Sequence, residues 1–344
     1  MAVDRSPTLK EIADVAGVSI ATVSSALNDR PTVAAETRAR VVDIAVSLGY
    51  RPKGRGSLRQ AADIGVIGLL TKHDLGMTWE INRFYSRVQL GVTNTGQRHH
   101  ISVMIANIEV DESNHPVIWP TMIDEQQIDG LILAGTFIDD TVHVIRRRSD
   151  IPMVLVDSYA PDLELDSVVT DNLGGAQKAV RHLIAHGHRR IGLAGWNPLS
   201  PPSIQQRKQA YLTVLAEHGL EPFIVETKLF AEGGAAAVRA LMHDRPRVTA
   251  LFCCNDETAF GALDEARGLG LRVPDDLSVI GFDNLEESGR TNPALTTVHV
   301  HKSWMGSLSV EMLMERIRHP ERPKITVVVS THLVERDTVG PARG

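Results

Sequence analysis

The sequence predicts an all-α head of the helix-turn-helix type, joined by a linker to an α/β core of two doubly wound subdomains. Three observations lead there. Thr8 to Pro52 spells short amphipathic helices around a glycine turn, and Arg51 to Asp63 shifts abruptly to glycine, arginine and serine. From Ile64 onward, short unbroken apolar runs alternate with helical stretches, as parallel strands covered on both faces by helices do. The expected domains are a head over 1–50, a linker over 51–63 and a core over 64–344. Within the core, one subdomain takes about 64–170 and 300–330, the other about 171–299 and 331–344.

Thr8 and Glu11 have the spacing of a capping box, in which hydroxyl and carboxylate each satisfy a free backbone N–H, so a helix starts at Leu9. Ile12, Ala13 and Ala16 line its inner face, and Gly17 supplies the left-handed residue that lets the chain turn. Ser19 caps a second helix, which buries Val23 and Leu27 and leaves Ile20, Ala21, Thr22, Ser24 and Ser25 at its exposed N-terminal end. A third helix, Ala35 to Leu48, turns Val41, Ile44 and Leu48 inward and ends at Gly49. Helices this short are not stable alone. Small hydrogen-bonding side chains at the exposed end of the second suit a DNA major groove.

Beyond the linker, strands are expected at Ile64–Leu70, Ile101–Ala106, Gly130–Ala134 and Pro152–Val156, the last closing the first half. Helices fall near Glu80–Thr95 and Met122. The second series has helices Leu173–His186, Ile204–His218, Gly233–Met242 and Glu257–Leu269, with strands Ile191–Gly195, Thr249–Cys253 and Leu277–Phe282. The segments after Pro293 return to complete both subdomains. In such folds ligands bind beyond the carboxyl ends of the strands, here in the cleft between subdomains.

Charge is distributed unevenly. Residues 1–60 hold nine Lys/Arg against six Asp/Glu, a balance of +3 that leaves −9 of the total −6 to the remainder. A mildly basic head on an acidic body fits a protein that meets phosphates with its first segment. No run of about eighteen apolar residues and no charged-then-apolar leader is present, so the expected location is the cytoplasm. Cys253 and Cys254 are adjacent in an apolar stretch and read as core, with neither a disulfide framework nor a zinc site. His182, His186 and His188 lie at a helix C-terminus, where the dipole favours them, and no carboxylate or cysteine stands near to complete a metal site. Phosphate-loop, nucleophile-elbow and Cys-x-x-Cys motifs are absent, so no cofactor and no enzymatic activity are expected.

The strings TLKEIADVAGVS, ATVS and ETRARV closely resemble the DNA-binding head of the LacI/GalR family of bacterial transcriptional regulators. DNLGGAQKAVRHLIAHGHRRIGLAG, QRKQAYLTVLAEHGL and VPDDLSVIGFDN followed by NPALTTV resemble the effector-binding core of the same family, so the likeness covers nearly the whole chain. It implies a periplasmic-binding-protein-like core, a homodimer on a palindromic double-stranded operator, and repression controlled by a small-molecule effector. It also implies that Ile20 and Ala21 choose the operator. Neither makes a bidentate base contact, and Ser25 replaces an arginine frequent in relatives. Thr22, Ser24 and the helix N-terminus are expected on phosphates, with Thr8, Ser19 and Asn28 as further DNA contacts. Relatives carry an alanine-rich hinge helix ending in Ser-Leu-Arg, whose leucine enters the minor groove. Leu58 holds that position here, but Gly54 and Gly56 sit inside the helix, each costing about 1 kcal/mol relative to alanine. A linker without a helix is the alternative.

For the effector, the resemblance points to Phe84, Tyr85, Arg207, Phe230, Asn255 and Asp283, with Asp157 and Trp196 suggested by location alone. An aromatic face stacks on a pyranose or purine, and an arginine with a carboxylate grips adjacent hydroxyls. A sugar is therefore favoured over a purine or another metabolite. Aromatic residues on an amphipathic helix serve equally as core, and Asp171 reads as a helix cap. A solute-binding protein would share the core but carry a leader and no head. An α/β enzyme would need a base in the cleft, for which Asp283 is the only strong carboxylate. The C-terminal DTVGPARG has no leucine heptad, so a dimer rather than a coiled-coil tetramer is expected.

Overall fold

The first helix, α1 (Leu9–Ala16), begins where the capping box places it: Glu11 N donates to Thr8 Oγ1 at 3.3 Å, and Thr8 N donates to the Glu11 carboxylate at 2.5 Å. Gly17 ends it at φ 66°, a left-handed conformation that side chains resist. Ser19 Oγ accepts from Thr22 N at 3.0 Å and so caps α2 (Ile20–Leu27). Together with α3 (Ala35–Ser47), these helices enclose a small core of Ile12, Ala13, Ala16, Val23, Ala26, Leu27, Val33, Val41 and Ala45. Leu48 departs from expectation and is 39% exposed. The helix stops at Ser47, and Tyr50, whose N–H donates to Ala45 O at 2.9 Å, packs on the core instead.

This computed structural model describes residues 7–27, 33–48, 50, 64–74, 83–110, 116–124, 127–135, 139–148, 150–158, 163–243 and 248–343. The first α/β series runs β1 (Val66–Asp74), α4 (Arg83–Arg98), β2 (Ser102–Val110), β3 (Pro116–Ile118), α5 (Thr121–Asp124), β4 (Gly130–Ala134), α6 (Asp139–Arg148), β5 (Met153–Val156) and β6 (Asp166–Thr170). The second runs α7 (Asn172–Ala185), β7 (Ile191–Trp196), α8 (Pro202–Glu217), β8 (Phe223–Glu226), α9 (Ala231–His243), β9 (Ala250–Cys253), α10 (Asp256–Gly268), β10 (Ser278–Asp283) and β11 (Thr296–His299). The chain then returns through α11 (Lys302–Arg318), β12 (Thr326–Val329) and β13 (His332–Val334).

Two sheets result, ordered β12-β6-β5-β4-β1-β2-β3 and β13-β11-β10-β9-β7-β8. All strands pair in parallel except β3 and β13, which lie antiparallel at edges. Central β4 and β5 are buried throughout, which is why they read as unbroken apolar runs, while edge β12 alternates exposed and half-buried residues. Pro152–Val156 therefore does not close the first half, because β6 and β12 extend that sheet beyond it. The chain passes between the sheets three times: from β6 into α7, from β11 into α11, and from β12 into β13.

Helices α4 and α11 cross backbone to backbone. A Cβ on Gly91 would fall 1.9 Å from Ser303 O, and one on Gly306 would fall 2.1 Å from Val88 O. Only two glycines permit this approach. The crossing sets the first turn of α4 beside the start of α11, where Lys302 is buried and donates to the carbonyls of Asp283, Asn284 and Val300.

Candidate functional site

Two surfaces carry most of the residues named from the sequence. On the head, the start of α2 presents Ile20, 49% exposed, and exposed Ala21, with Thr22, Ser24 and Ser25 half-buried beside them. The Ser19 and Thr22 hydroxyls lie 2.8 Å apart, and the Thr8 hydroxyl is held by Glu11 at 2.9 Å. Asn28 and Leu58, together with the linker glycines Gly54 and Gly56, lie outside the described residues.

The second surface is a cavity of about 200 Å³ at the carboxyl ends of the strands, walled by both α/β series. Phe84 and Tyr85 enter it from the first turn of α4 with their rings edge to face, centroids 5.1 Å apart. Arg207 enters from α8, Phe230 from the turn before α9, Asn255 from the end of β9 and Asp283 from the end of β10. All six residues to which the resemblance points thus line one cavity.

Their polar atoms are differently committed. Arg207, 3% exposed, donates through Nε to Asn172 Oδ1 at 2.9 Å and through Nη1 to Cys254 O, and it lies 3.7 Å over the Phe282 ring. Nη1 reaches Asp283 Oδ1 at 3.4 Å, the long end of a hydrogen bond. Burial pushes the Asp283 carboxyl up to about 7, against the opposing pull of Arg207. The residue sits at φ 114°, a backbone conformation that a β-carbon disfavours. Asn255 caps α10, accepting from Thr258 N at 2.9 Å and donating to Leu229 O at 3.2 Å, so both ends of its amide serve the fold.

Asp157 lies in the same cavity, just after β5 at φ 56°. Its Oδ2 accepts from Tyr85 Oη at 3.0 Å. Burial raises the Asp157 carboxyl above its usual range, while burial and then the Asp157 charge raise the Tyr85 phenol. Trp196 takes no part: its indole N–H donates to Gln205 at 2.8 Å and its ring lies under Lys208. Asn172, Ser203 and Lys302 escaped the sequence reading. Asn172 directly follows the capping Asp171, whose carboxylate accepts from Gly174 N at 2.8 Å, and that neighbour was the available signal.

His188 is a core residue, bonded to Thr249 Oγ1 and Gly340 O, each at 3.0 Å. Among the described residues no helix is long and apolar enough to cross a membrane.

Comparison with known proteins decides what this pairing of head and cleft is. Residues 8–53 match the model of bacterial regulatory proteins, lacI family, and residues 180–339 match a periplasmic binding protein-like domain. The ribose operon repressor of Haemophilus influenzae is 32% identical over 96% of this chain and 98% of its own length. The chain belongs to the LacI family. As a member of that family it is a DNA-binding regulatory protein, and the relatives it matches are transcriptional repressors. Two solved structures share its fold over nearly its full length. A transcriptional regulator CelR–cellobiose complex gives a TM-score of 0.69 at 26% identity, covering 96% of this chain and 99% of that one. The lac repressor dimer bound to operator and the anti-inducer ONPF gives 0.68 at 25% identity, covering 98% and 100%.

Proposed function

We propose that this LacI-family repressor acts in the cytoplasm as a homodimer whose two heads read a palindromic operator, and that a small hydroxylated effector, a sugar before a purine, binds in the cleft and controls that reading. The observation that supports the effector reading is the convergence of Phe84, Tyr85, Arg207 and Asp283 on one cavity between two α/β units. The aromatic pair offers a face for a ring, and the Arg207–Asp283 pair offers a donor and an acceptor for neighbouring hydroxyls. The cellobiose and operator complexes of its relatives support the same division of labour.

In the head, Ile20, Ala21 and Ser25 face the bases, and Thr8, Ser19, Thr22, Ser24 and Asn28 serve the phosphate backbone. With so few base donors, specificity leans on half-site spacing and on Leu58 as a minor-groove wedge. Footprinting on DNA upstream of the protein's own gene, followed by a screen of sugars and purines for release or tightening, tests the whole. A protected palindrome whose affinity changes with one such compound supports the reading, and a protein indifferent to every compound overturns its effector half. Leu58→Ala is expected to weaken the operator complex and reduce bending. Unchanged affinity and bend would remove the wedge.

A further inference from the structure

We infer that the effector is an uncharged two-ring molecule whose second ring sits in an outer lobe of the cleft, between β12 and the start of α8. The inference rests on the reading of the inner cavity as the effector site. A separate cavity of about 300 Å³ adjoins the inner one, and Asp157 and Ser203 belong to the walls of both. The inner cavity alone, about 200 Å³, lies below the roughly 300–1,000 Å³ of ordinary ligand sites, whereas the two joined lie within that range.

The outer lobe has a distinct chemistry. Val169, Pro202 and Val328 give it apolar walls, and Val328 on edge strand β12 is 59% exposed, an apolar side chain open to solvent beside a cavity. Ser203 and Gln206 supply a polar edge. Among the described residues neither Ser203 Oγ nor Gln206 Nε2 has a partner, although Gln206 Oε1 accepts from Asn172 at 3.3 Å. That combination suits the flat, less polar face of a second ring with a hydrogen-bonding rim. Asp157 at the junction of the lobes, with Asp283 behind it, opposes a phosphate or carboxylate there, since among the described residues Arg207 is the one cation lining either lobe. A disaccharide and a nucleoside share the required chemistry.

The test uses matched probes on the full chain: D-glucose against cellobiose, and D-ribose against cytidine, with affinity read by calorimetry. One two-ring probe is expected to bind at least about tenfold more tightly than its single-ring partner. Val328→Trp, which fills the outer lobe from an exposed position, is expected to remove that advantage and leave the single-ring affinity within about twofold. Gln206→Trp, from the exposed face of α8, does the same from the opposite wall should the first variant fold poorly. Which pair shows the advantage tells a disaccharide from a nucleoside. Two-ring probes that bind no better than single rings, or a lobe-filling variant that leaves the two-ring affinity intact, overturns the inference. Asp283→Asn tests the underlying reading separately: it is expected to weaken both members of the pair, and no effect on either removes the inner cavity as the effector site.

Discussion

Arg207 Nη1 lies 3.4 Å from Asp283 Oδ1, with both side chains almost wholly buried. A buried pair held at this distance gives little stability, because desolvation offsets most of the attraction. It leaves room for a ligand hydroxyl to donate to the carboxylate. With Asp283 pushed up to about 7, the carboxyl holds its proton below neutrality and is a full acceptor only above it. A ligand that donates to the carboxylate favours the charged form, so binding releases a proton and affinity rises with pH. Effector affinity is expected to fall by up to about tenfold from pH 8 to pH 6, one unit of pKa being worth about 1.4 kcal/mol. Calorimetry in buffers of different ionisation enthalpy measures both the slope and the released proton. Asp283→Asn should flatten the profile.

Without ligand the sign reverses. A carboxyl raised in the folded state contributes stability that is complete below its unfolded pKa of about 4 and is lost as pH rises through about 7. Thermal melts of the free protein should therefore show a component that weakens over that window, and saturating effector should oppose the loss.

Tyr85→Phe removes the phenol that donates to Asp157 and leaves the buried carboxyl without that partner. A loss of about 1–3 kcal/mol in core stability is expected, because the desolvated group is left unsatisfied. Denaturant unfolding followed by core tryptophan fluorescence checks it, and an unchanged midpoint would contradict the role given to this bond.

Gly306→Ala adds a Cβ at 2.1 Å from the Val88 carbonyl, and main chain cannot yield as a side chain does. The cost expected is about 1–3 kcal/mol, the range of overpacked cores. The head has its own hydrophobic cluster. Its melting should be unaffected, so proteolysis and calorimetry should show core and head responding separately.

Ser19→Ala takes away the hydroxyl that accepts from Thr22 N. A lost N-cap costs about 1 kcal/mol, and the head has few other contacts to absorb it. Lower head stability with weaker operator binding, measured by circular dichroism and gel shift, is the expected pair of results.

The head was legible because its determinants are local. A capping box, a left-handed glycine and a four-residue apolar spacing are written within one or two helical turns, and α1 and α2 follow them. Edge strands β3 and β8 went unseen because they are short and only partly buried, and β6 because Asp and Thr end its apolar run. In the cleft, the resemblance located Phe84, Tyr85, Arg207 and Asp283, but their bonds were not readable. Tyr85 meets Asp157 across 72 positions of sequence and Arg207 meets Asp283 across 76, distances no spacing rule spans. Asn255 shows the converse, a cleft residue whose amide is already committed to capping a helix.

The three passages of chain between the two sheets have a mechanical consequence. One connecting strand would be a swivel, free to turn in every direction. Three side by side act as parallel straps, and the motion they resist least is rotation about the single line running through them. Whatever free energy a molecule in the cleft contributes is thereby channelled into one angle. Lys302, bound to the Asp283 carbonyl at one strap, ties a wall of the cleft cavity directly to that axis.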